Sequence, residues 1–146
     1  MSDNKLAHTT WDCKYHIVWC PKYRRKIVFG KLRKEIGWIL RKLCEYKSVQ
    51  IIEANACIDH IHMCLSIPPK YSISQIVGYL KGKSTMMIFE KYSKVKKNFR
   101  GRGFWARGYY VNTVGRDEAK IREYIKNQED TEKIQDKYEL PDDDLF

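Results

Sequence analysis

Apolar and polar positions in the first half of the chain change from a strand period to a helix period and back. Residues 15–20 are β-branched and aromatic, which predicts a strand that Pro21 interrupts and that residues 27–29 extend. Apolar side chains with charged residues between them then follow helical spacing over residues 31–46. Residues 49–57 return to the strand pattern, so this half predicts a strand, a helix and a strand.

The second half of the chain repeats these elements in a related order. Residues 60–67 predict a strand that follows a turn and stops before two prolines. Ser72 and Gln75 have the spacing of a capping box, and the apolar face of the helix that they begin runs to residue 88. Residues 94–102 form a basic, glycine-containing loop, and the aromatic residues that follow predict a strand over 104–114.

A last helix is expected after Gly115, because Asp117 and Glu118 suit the positive end of a helix dipole. The complete order, β-α-β-β-α-β and a helix, predicts an α+β protein with a ferredoxin-like (split β-α-β) fold. In this fold the sheet is antiparallel and the helices cover one face, and here a C-terminal helix carrying Tyr124 is added. The predicted organisation is a flexible N-terminus at 1–10, one domain at 11–130 and an acidic tail at 131–146.

Charge is distributed unevenly along the chain. The net charge is +10, but residues 1–128 hold 26 basic and 10 acidic residues, a formal charge of +16, whereas residues 129–146 hold 2 and 8, a charge of −6. A body this basic indicates a polyanionic partner, with nucleic acid as the first candidate and a merely soluble basic surface as the alternative. No apolar run approaches the ~20 residues that cross a bilayer, so we expect a cytoplasmic protein without a membrane partner.

Two histidines stand at alternate positions of the third predicted strand. His60 and His62 would leave the same face, about 6.6 Å apart along the chain, and could converge on one metal ion. The alternative is a pair of polar histidines on a wet sheet face. A zinc site that adds Cys57 and Cys64 is disfavoured, because residues 60 and 64 of a straight strand lie about 13 Å apart. The pair therefore predicts an open metal site with a further ligand from elsewhere and room for a phosphate.

Tyr124 and Gln128 are four residues apart on the last predicted helix, so they share one of its faces. A phenol can act as a nucleophile, and an amide oxygen can bind a metal. The same residues also fit an ordinary amphipathic stripe in which Tyr124 is a core aromatic. The helix alone leaves both interpretations open.

Basic residues are interleaved with aromatic ones in two segments, residues 22–26 and 100–107. Cations bind phosphates and aromatic rings stack on unpaired bases, although solvated loops beside buried aromatics are the alternative. Residues 78–84 resemble a phosphate-binding loop, but only three residues separate the glycines and the segment lies within a helix, which argues against ATP binding. The predicted nucleic-acid contacts are Lys22, Tyr23, Arg24, Arg25, Lys81, Lys83, Arg102 and Arg107.

Taken together, five segments over about residues 11–130 resemble the one-tyrosine HUH transposases of small bacterial and archaeal insertion sequences. Several motifs in the family's order are far more specific than any one of them alone. The segments are YHIVWCPKYR at 15–24, DHIH at 59–62, KGKS at 81–84, TVG at 113–115 and Y-I-x-x-Q at 124–128.

The resemblance implies an enzyme that cleaves and rejoins single-stranded DNA carrying hairpins at the ends of an insertion sequence. Tyr124 would form a 5′-phosphotyrosine intermediate, and His60, His62 and Gln128 would hold Mg²⁺ or Mn²⁺. It also implies a homodimer that merges its two sheets and shares each active site, with the histidines of one chain meeting the tyrosine helix of the other. His16, on the first predicted strand, could orient a ligand.

Two other functions agree with parts of the same pattern. The first is a non-catalytic or domesticated protein that binds single-stranded nucleic acid and retains the basic and aromatic residues. The second is a related HUH replication initiator or relaxase, against which the short chain without a helicase or primase domain argues. The presence of His60, His62, Tyr124 and Gln128 together favours the transposase.

Overall fold

The structure is a computed structural model that describes residues 4–6, 9–115, 119–120 and 122–127. Helical residues 119–120 and 122–127 follow the last strand. The elements confirm the predicted α+β class. In chain order they are β1 (Asn4–Leu6), β2 (Thr9–Trp11), β3 (Lys14–Trp19), a short 3₁₀ helix (Lys22–Arg24), α1 (Gly30–Tyr46), β4 (Gln50–Cys57), β5 (His60–Ser66), α2 (Ile73–Lys91), α3 (Ser93–Asn98) and β6 (Tyr110–Thr113).

Four strands form the main antiparallel sheet in the order β4-β5-β3-β6, and β1 pairs with β2 in a separate two-stranded sheet. Because β5 and β3 are central, each of their residues has a neighbour on both sides. His16 lies opposite Cys64 on β5 and opposite Asn112 on β6, while Val18 lies opposite His62. This register brings the histidines of two strands side by side.

Helices α1 and α2 cover one face of this sheet and bury its apolar side chains. Ile61, Met63 and Leu65 on β5 are at most 1% exposed, and they join Ile36 of α1 and Leu80 of α2 in one hydrophobic cluster. Burial of such side chains is the main favourable contribution to folding. Strand alternation then directs the residues between them to the opposite face.

Helix α2 begins at the capping box that the sequence predicts. The Ser72 hydroxyl accepts a hydrogen bond from the Gln75 amide at 3.1 Å, and the Gln75 side chain accepts one from the Ser72 amide at 2.8 Å. The two bonds satisfy backbone N–H groups that have no partner inside the helix. The start of α2 is thereby fixed directly after the turn that follows β5.

Several segments differ from the sequence predictions. Residues 27–29 form no strand, although Val28 and Phe29 are buried and the Val28 amide donates to the Ile58 carbonyl at 3.0 Å. The strand predicted over 104–114 is confined to β6, because Phe104 and Trp105 enter the core from an irregular segment that has one bridge, from Trp105 to Pro21.

The predicted basic loop at 94–102 contains most of α3, and the predicted N-terminal segment at 1–10 contributes β1 and part of β2. Asp117, Glu118 and the predicted tail at 131–146 lie outside the described residues, so the domain boundaries stay predictions. Within the described ranges, no helix is both long enough and apolar enough to cross a membrane.

Candidate active site

Three histidines and a tyrosine meet on the face of the sheet that α1 and α2 leave uncovered. The ring centre of His62 lies 5.1 Å from that of His60, 4.8 Å from that of His16 and 5.6 Å from that of Tyr124. His62 is the centre of this group and is only 5% exposed. The alternation of β5 explains why His60 and His62 share this face while Ile61, between them, is buried on the other.

Tyr124 reaches the histidines from the helical residues 122–127. Its side chain is 54% exposed, whereas the neighbouring Ile125 is fully buried. The core-aromatic interpretation of Tyr124 is therefore wrong, because Ile125 provides the buried contact of this helix. An exposed phenol beside an imidazole cluster can approach a bound phosphodiester, which a core aromatic could not do.

His60 contacts the carboxylate of Asp59, which in turn pairs with the guanidinium of Arg24. Nδ1 of His60 lies 2.7 Å from Oδ1 of Asp59, and Oδ2 of Asp59 lies 3.4 Å from Nη2 of Arg24. Burial raises the pKa of the Asp59 carboxyl, but the hydrogen bond with His60 and the charges of His60 and Arg24 lower that pKa by more, so it is below its ordinary value. The carboxylate accepts a hydrogen bond from the Nδ1–H group of His60, and in that tautomer the lone pair of the ring is on Nε2.

The spacing of His60 and His62 fits the metal that the resemblance implies. Two imidazoles bound to one ion at about 2.1 Å place their ring centres about 5 Å apart, close to the separation found here. A carboxylate on the second ring nitrogen of a histidine ligand is the usual support for metal binding. Gln128, the third predicted ligand, lies outside the described residues.

The four-ligand zinc alternative finds no support on this face. The Cys57 thiol accepts a hydrogen bond from the Asn55 amide at 3.1 Å. Within the described part of the chain, no three or more histidine, cysteine, aspartate or glutamate side chains converge closely enough to hold a metal ion. An open site completed by a ligand of another type agrees with this observation.

His16 stands between the central histidine and the edge strand β6. Burial lowers its pKa, a hydrogen bond with Asn112 opposes this shift, and the net effect is a lowered pKa that keeps the ring neutral near pH 7. Its Nε2 is buried and forms no hydrogen bond with the part of the chain described here. Tyr110, 58% exposed, lies edge-on to this ring at 6.3 Å.

The basic segment at 22–25 is folded so that its side chains diverge. Tyr23 and Arg24 have left-handed backbone conformations, with φ of 62° and 49°, and the Tyr23 side chain is 82% exposed. Arg25 instead lies over the Phe99 ring at 4.5 Å and donates to the Asn98 carbonyl at 3.2 Å. The segment therefore directs Tyr23 to solvent and Arg24 towards Asp59, while Arg25 attaches it to the end of α3.

The two lysines of the KGKS motif have different surroundings. The Lys81 ammonium donates to the carbonyls of Ala106 and Gly108 at 2.7 and 3.0 Å, and burial lowers its pKa. Lys83 is exposed. Two residues along an α-helix turn it by about 200°, so the side chains of Lys81 and Lys83 project from different sides of α2. Of the other predicted contacts, Arg102 and Arg107 are exposed and Lys22 is partly buried.

Sequence reasoning assigned no role to Asp59, Tyr110 or Asn112, all of which contact the histidine group. Tyr110 and Asn112 share the face of His16 because β6 pairs with β3 in the register Val18–Tyr110 and His16–Asn112. The alternation of residues 110–113 was a usable signal, but the partner strand was not known. Asp59 lies in a turn, where alternation gives no direction.

Comparison with known proteins identifies relatives over most of the chain. The family model described as "Transposase IS200 like" matches residues 9–128. A transposase for insertion sequence element IS200 from Salmonella typhimurium is 55% identical over 142 residues, 97% of this chain and 93% of that protein. The ISDra2 transposase TnpA of Deinococcus radiodurans is 32% identical over 123 residues, 84% of this chain and 88% of that protein.

Solved structures support the same architecture. A crystal structure of a protein from Deinococcus radiodurans R1, described as a transposase, has a TM-score of 0.71 and 27% identity, and the match covers 86% of this chain and 97% of that one. A REP-associated tyrosine transposase bound to a REP hairpin has a TM-score of 0.59 and 12% identity, over 86% of this chain and 70% of that one. At that identity the second likeness concerns the fold alone.

Proposed function

We propose that this chain, which belongs to the IS200-like transposase family and is therefore an enzyme acting on DNA, cleaves and rejoins single-stranded DNA through Tyr124. The observation that carries the proposal is the 5.6 Å contact between the rings of Tyr124 and His62, made by a tyrosine that is 54% exposed. A nucleophile and the group that activates the phosphate have to meet at one phosphodiester. The contact places the phenol of Tyr124, the candidate nucleophile, next to His62, a candidate metal ligand, so both could reach the same phosphodiester.

In this proposal the Tyr124 oxygen attacks the scissile phosphorus in line. A P–O bond forms to the phenol oxygen, whose proton is released to solvent. The bond to the 3′ oxygen of the neighbouring nucleotide breaks, and that oxygen takes up a proton to become a free 3′-hydroxyl. The 5′-phosphotyrosine link retains the bond energy, so attack by a 3′-hydroxyl can reseal the strand without ATP. Free tyrosine has a pKa near 10, so the phenol needs a proton acceptor or a nearby positive charge.

His60, His62 and Gln128 would hold Mg²⁺ or Mn²⁺, and when bound the ion would polarise the phosphate and neutralise the charge that develops on its oxygens. Asp59 holds the His60 ring with its Nε2 lone pair directed away from the turn. His16, neutral and beside His62, adds a third imidazole to the site. These residues organise the site before substrate arrives, which lowers the cost of reaching the reactive geometry.

Single-stranded DNA with hairpins at the element's ends is the substrate that we propose. A REP-associated tyrosine transposase of the same fold was solved with a REP hairpin, and we propose a ligand of that class for this chain. The formal charge of +16 over residues 1–128 and the exposed Tyr23, Arg102 and Arg107 suit phosphates and unpaired bases. The 22–25 segment reaches the histidine group through the ion pair of Arg24 with Asp59.

The decisive experiment compares Tyr124→Phe with the wild-type protein on labelled single strands that carry the hairpins flanking its own gene. Loss of the phenol oxygen should abolish the denaturation-resistant DNA adduct. Binding should change by no more than about twofold, as for other exposed substitutions. Tyr109→Phe, which alters another exposed tyrosine, is the matched control and should retain the adduct. An adduct of normal yield in Tyr124→Phe would rule out this nucleophile.

The metal is tested by His60→Ala and His62→Ala in the same assay. Each should remove Mg²⁺- or Mn²⁺-dependent cleavage while the DNA remains bound. Cleavage that persists equally in EDTA would reject the metal. Binding without any adduct in the wild-type protein would favour the non-catalytic alternative.

We also propose a homodimer that joins two sheets and shares its active sites. Strand β4 is an edge of the sheet, and beside it runs a groove of about 1040 Å³ between β4 and α1, lined by Trp38, Ile51, Ile52 and Met63. Edge strands with apolar surroundings are suited to pairing with another chain. In the structure Tyr124 contacts His62 of its own chain, so sharing requires the C-terminal helix to exchange between copies.

A further inference from the structure

Lysines and tyrosines form a cluster on a part of the surface that the sequence did not single out. The Lys47 ammonium lies 4.8 Å from the Tyr79 ring centre and 5.6 Å from that of Tyr71, and the Lys70 ammonium lies 5.2 Å from Tyr71. Tyr46 stands beside them with 79% of its side chain exposed. We call these five residues, Tyr46, Lys47, Lys70, Tyr71 and Tyr79, the tyrosine–lysine patch.

The patch is formed by the end of α1, the turn between β5 and α2, and the second turn of α2. Helix α1 ends at Tyr46 and is capped by Lys47. Strand β5 ends at Ser66, and after two prolines Lys70 and Tyr71 lead to the cap of α2. Tyr79 projects from the second turn of α2 towards Lys47. The patch is thus attached to ordered helix ends and not to a long loop.

The positive charges of the patch are the ammonium groups of Lys47 and Lys70. In the described part of the chain neither Lys47 nor Lys70 forms an ion pair, and the neighbouring Glu45 pairs with Lys42 at 3.5 Å. Burial raises the pKa of Tyr79, and the nearby Cys44, Tyr46 and Tyr71 raise it further. The patch therefore combines ammonium groups with aromatic rings, and the phenol of Tyr79 is held in its protonated, hydrogen-bond-donating form.

The patch is distant from the histidines. Ser66, where β5 ends before the patch, is four residues along the strand from His62, which corresponds to about 13 Å, and the patch lies on α1 and α2, which cover the other face of the sheet. No side chain spans that distance. A strand of nucleic acid held by the patch would therefore place different nucleotides there from those at Tyr124 and His62.

We propose that the tyrosine–lysine patch is a second binding surface for single-stranded DNA, which stacks unpaired bases on Tyr46 and Tyr71 and binds phosphates through Lys47 and Lys70. The inference rests on the proposed function, since it assumes a single-stranded DNA substrate. Cations interleaved with aromatic rings are the chemistry that binds single strands with little sequence preference, and here the Tyr46 ring is exposed and the Tyr71 ring is half-buried. Duplex DNA offers phosphates but no open base faces, so it suits the patch less well.

Lys83 extends the patch along α2. It is exposed and lies four residues after Tyr79, so both side chains occupy the same face of the helix. Lys83, a predicted phosphate contact, therefore has the aromatic ring of Tyr79 beside it. Lys81, held by Ala106 and Gly108, faces elsewhere.

Photocrosslinking tests where the strand lies. The wild-type protein is irradiated with the hairpin-bearing single strand from its own locus, in which 5-iodouracil replaces thymine, and cross-linked peptides are mapped by mass spectrometry. Adducts at Tyr46 or Tyr71 are expected in addition to those near Tyr23. Cross-links confined to residues 22–25 and 100–107, in a protein that still forms the Tyr124 adduct, would overturn the patch and leave the proposed function intact. Failure of the strand to bind at all would overturn both.

Charge removal provides the second test. The double variant Lys47→Gln and Lys70→Gln should reduce the slope of log K against log salt for single-stranded DNA by about 1.4, since each phosphate contact contributes about 0.7. Tyr46→Leu should weaken binding at least about fivefold without changing that slope. Lys31→Gln, on the first turn of α1, is the matched control and should leave the slope unchanged. Equal slopes in the double variant and the wild type, with unchanged thermal melting, would reject the proposal.

Discussion

Asp59 is the residue whose position links the basic segment to the histidines. Its carboxylate accepts from His60 at 2.7 Å and pairs with Arg24 at 3.4 Å. Such a carboxylate fixes the tautomer and the ring orientation of a histidine ligand. Arg24 is 67% exposed, so water screens its ion pair and its contribution to this arrangement is the smaller one.

The change Asp59→Asn should therefore weaken Mn²⁺ binding by roughly 10- to 100-fold, the usual cost of removing the partner of a metal-bound histidine. Titration calorimetry on the protein without DNA measures this affinity directly. Asp12→Asn removes a carboxylate that pairs with Lys14 at 3.2 Å and serves as the matched control. An affinity equal to that of the wild type would mean that Asp59 does not support the metal site.

At this scale the sequence predicts positions better than contacts. The alternation of β5 was sufficient to assign His60 and His62 to one face, because strand geometry depends on the local backbone alone. The contact of Asp59 with His60 could not be predicted from the sequence, because side chains in a turn have no fixed direction. The hydrogen bonds from Lys81 to the carbonyls of Ala106 and Gly108 connect positions separated by 25 and 27 residues in the sequence, and no local pattern predicts them.

Among the elements, those with strong periodicity were predicted with nearly correct bounds. Helix α1 was predicted at 31–46 and occupies Gly30–Tyr46, and the capping box of α2 is formed. The strand predicted over 104–114 is wrong for 104–109, where Phe104 and Trp105 are apolar because they fill the core and not because they alternate along a strand. They enter the core next to Trp19 and Phe99 without a continuous ladder of backbone hydrogen bonds. A short apolar run does not distinguish these cases.

Strand β4 is the element on which the proposed dimer depends. Its register with β5 shifts between Ile51 and Glu53 and is regular over 53–57, so that part could pair edge to edge with a second copy around a twofold axis. Trp38 of α1 is 49% exposed beside it. We predict that Trp38→Ala converts a dimer into a monomer in analytical ultracentrifugation. Tyr46→Ala, at an exposed aromatic outside the groove, should leave the dimer intact, and a stable dimer in Trp38→Ala would place the interface elsewhere.

Sharing of the active site is tested by mixing two inactive variants. A shared site predicts that His62→Ala and Tyr124→Phe copies regain activity when mixed, because one site of each mixed dimer combines an intact histidine with an intact tyrosine. Sites formed within a single chain predict no recovery, because each copy then lacks one group. Matched mixtures of each variant with itself provide the baseline.

At the scale of the whole molecule, charge is segregated along the chain. Residues 1–128 carry a formal charge of +16 and residues 129–146 carry −6. Acidic residues tethered to a basic body compete with DNA phosphates for the same lysines and arginines, and the competition weakens with salt. The tail is expected to reduce binding to unrelated single strands more than binding to hairpin-bearing DNA, which gains additional contacts.

Removal of residues 131–146, which hold six acidic and two basic residues, should raise affinity for an unrelated single strand on the order of threefold at low salt. The difference should shrink near 0.15 M salt, where the Debye length is about 8 Å. Fluorescence anisotropy across a salt series measures both effects. A full-length variant with those six acidic residues changed to Asn or Gln separates charge from length, and it should behave like the truncated protein. If only the truncation raises affinity, the tail acts by occupying space; if neither does, its charge does not reach the DNA-binding surface.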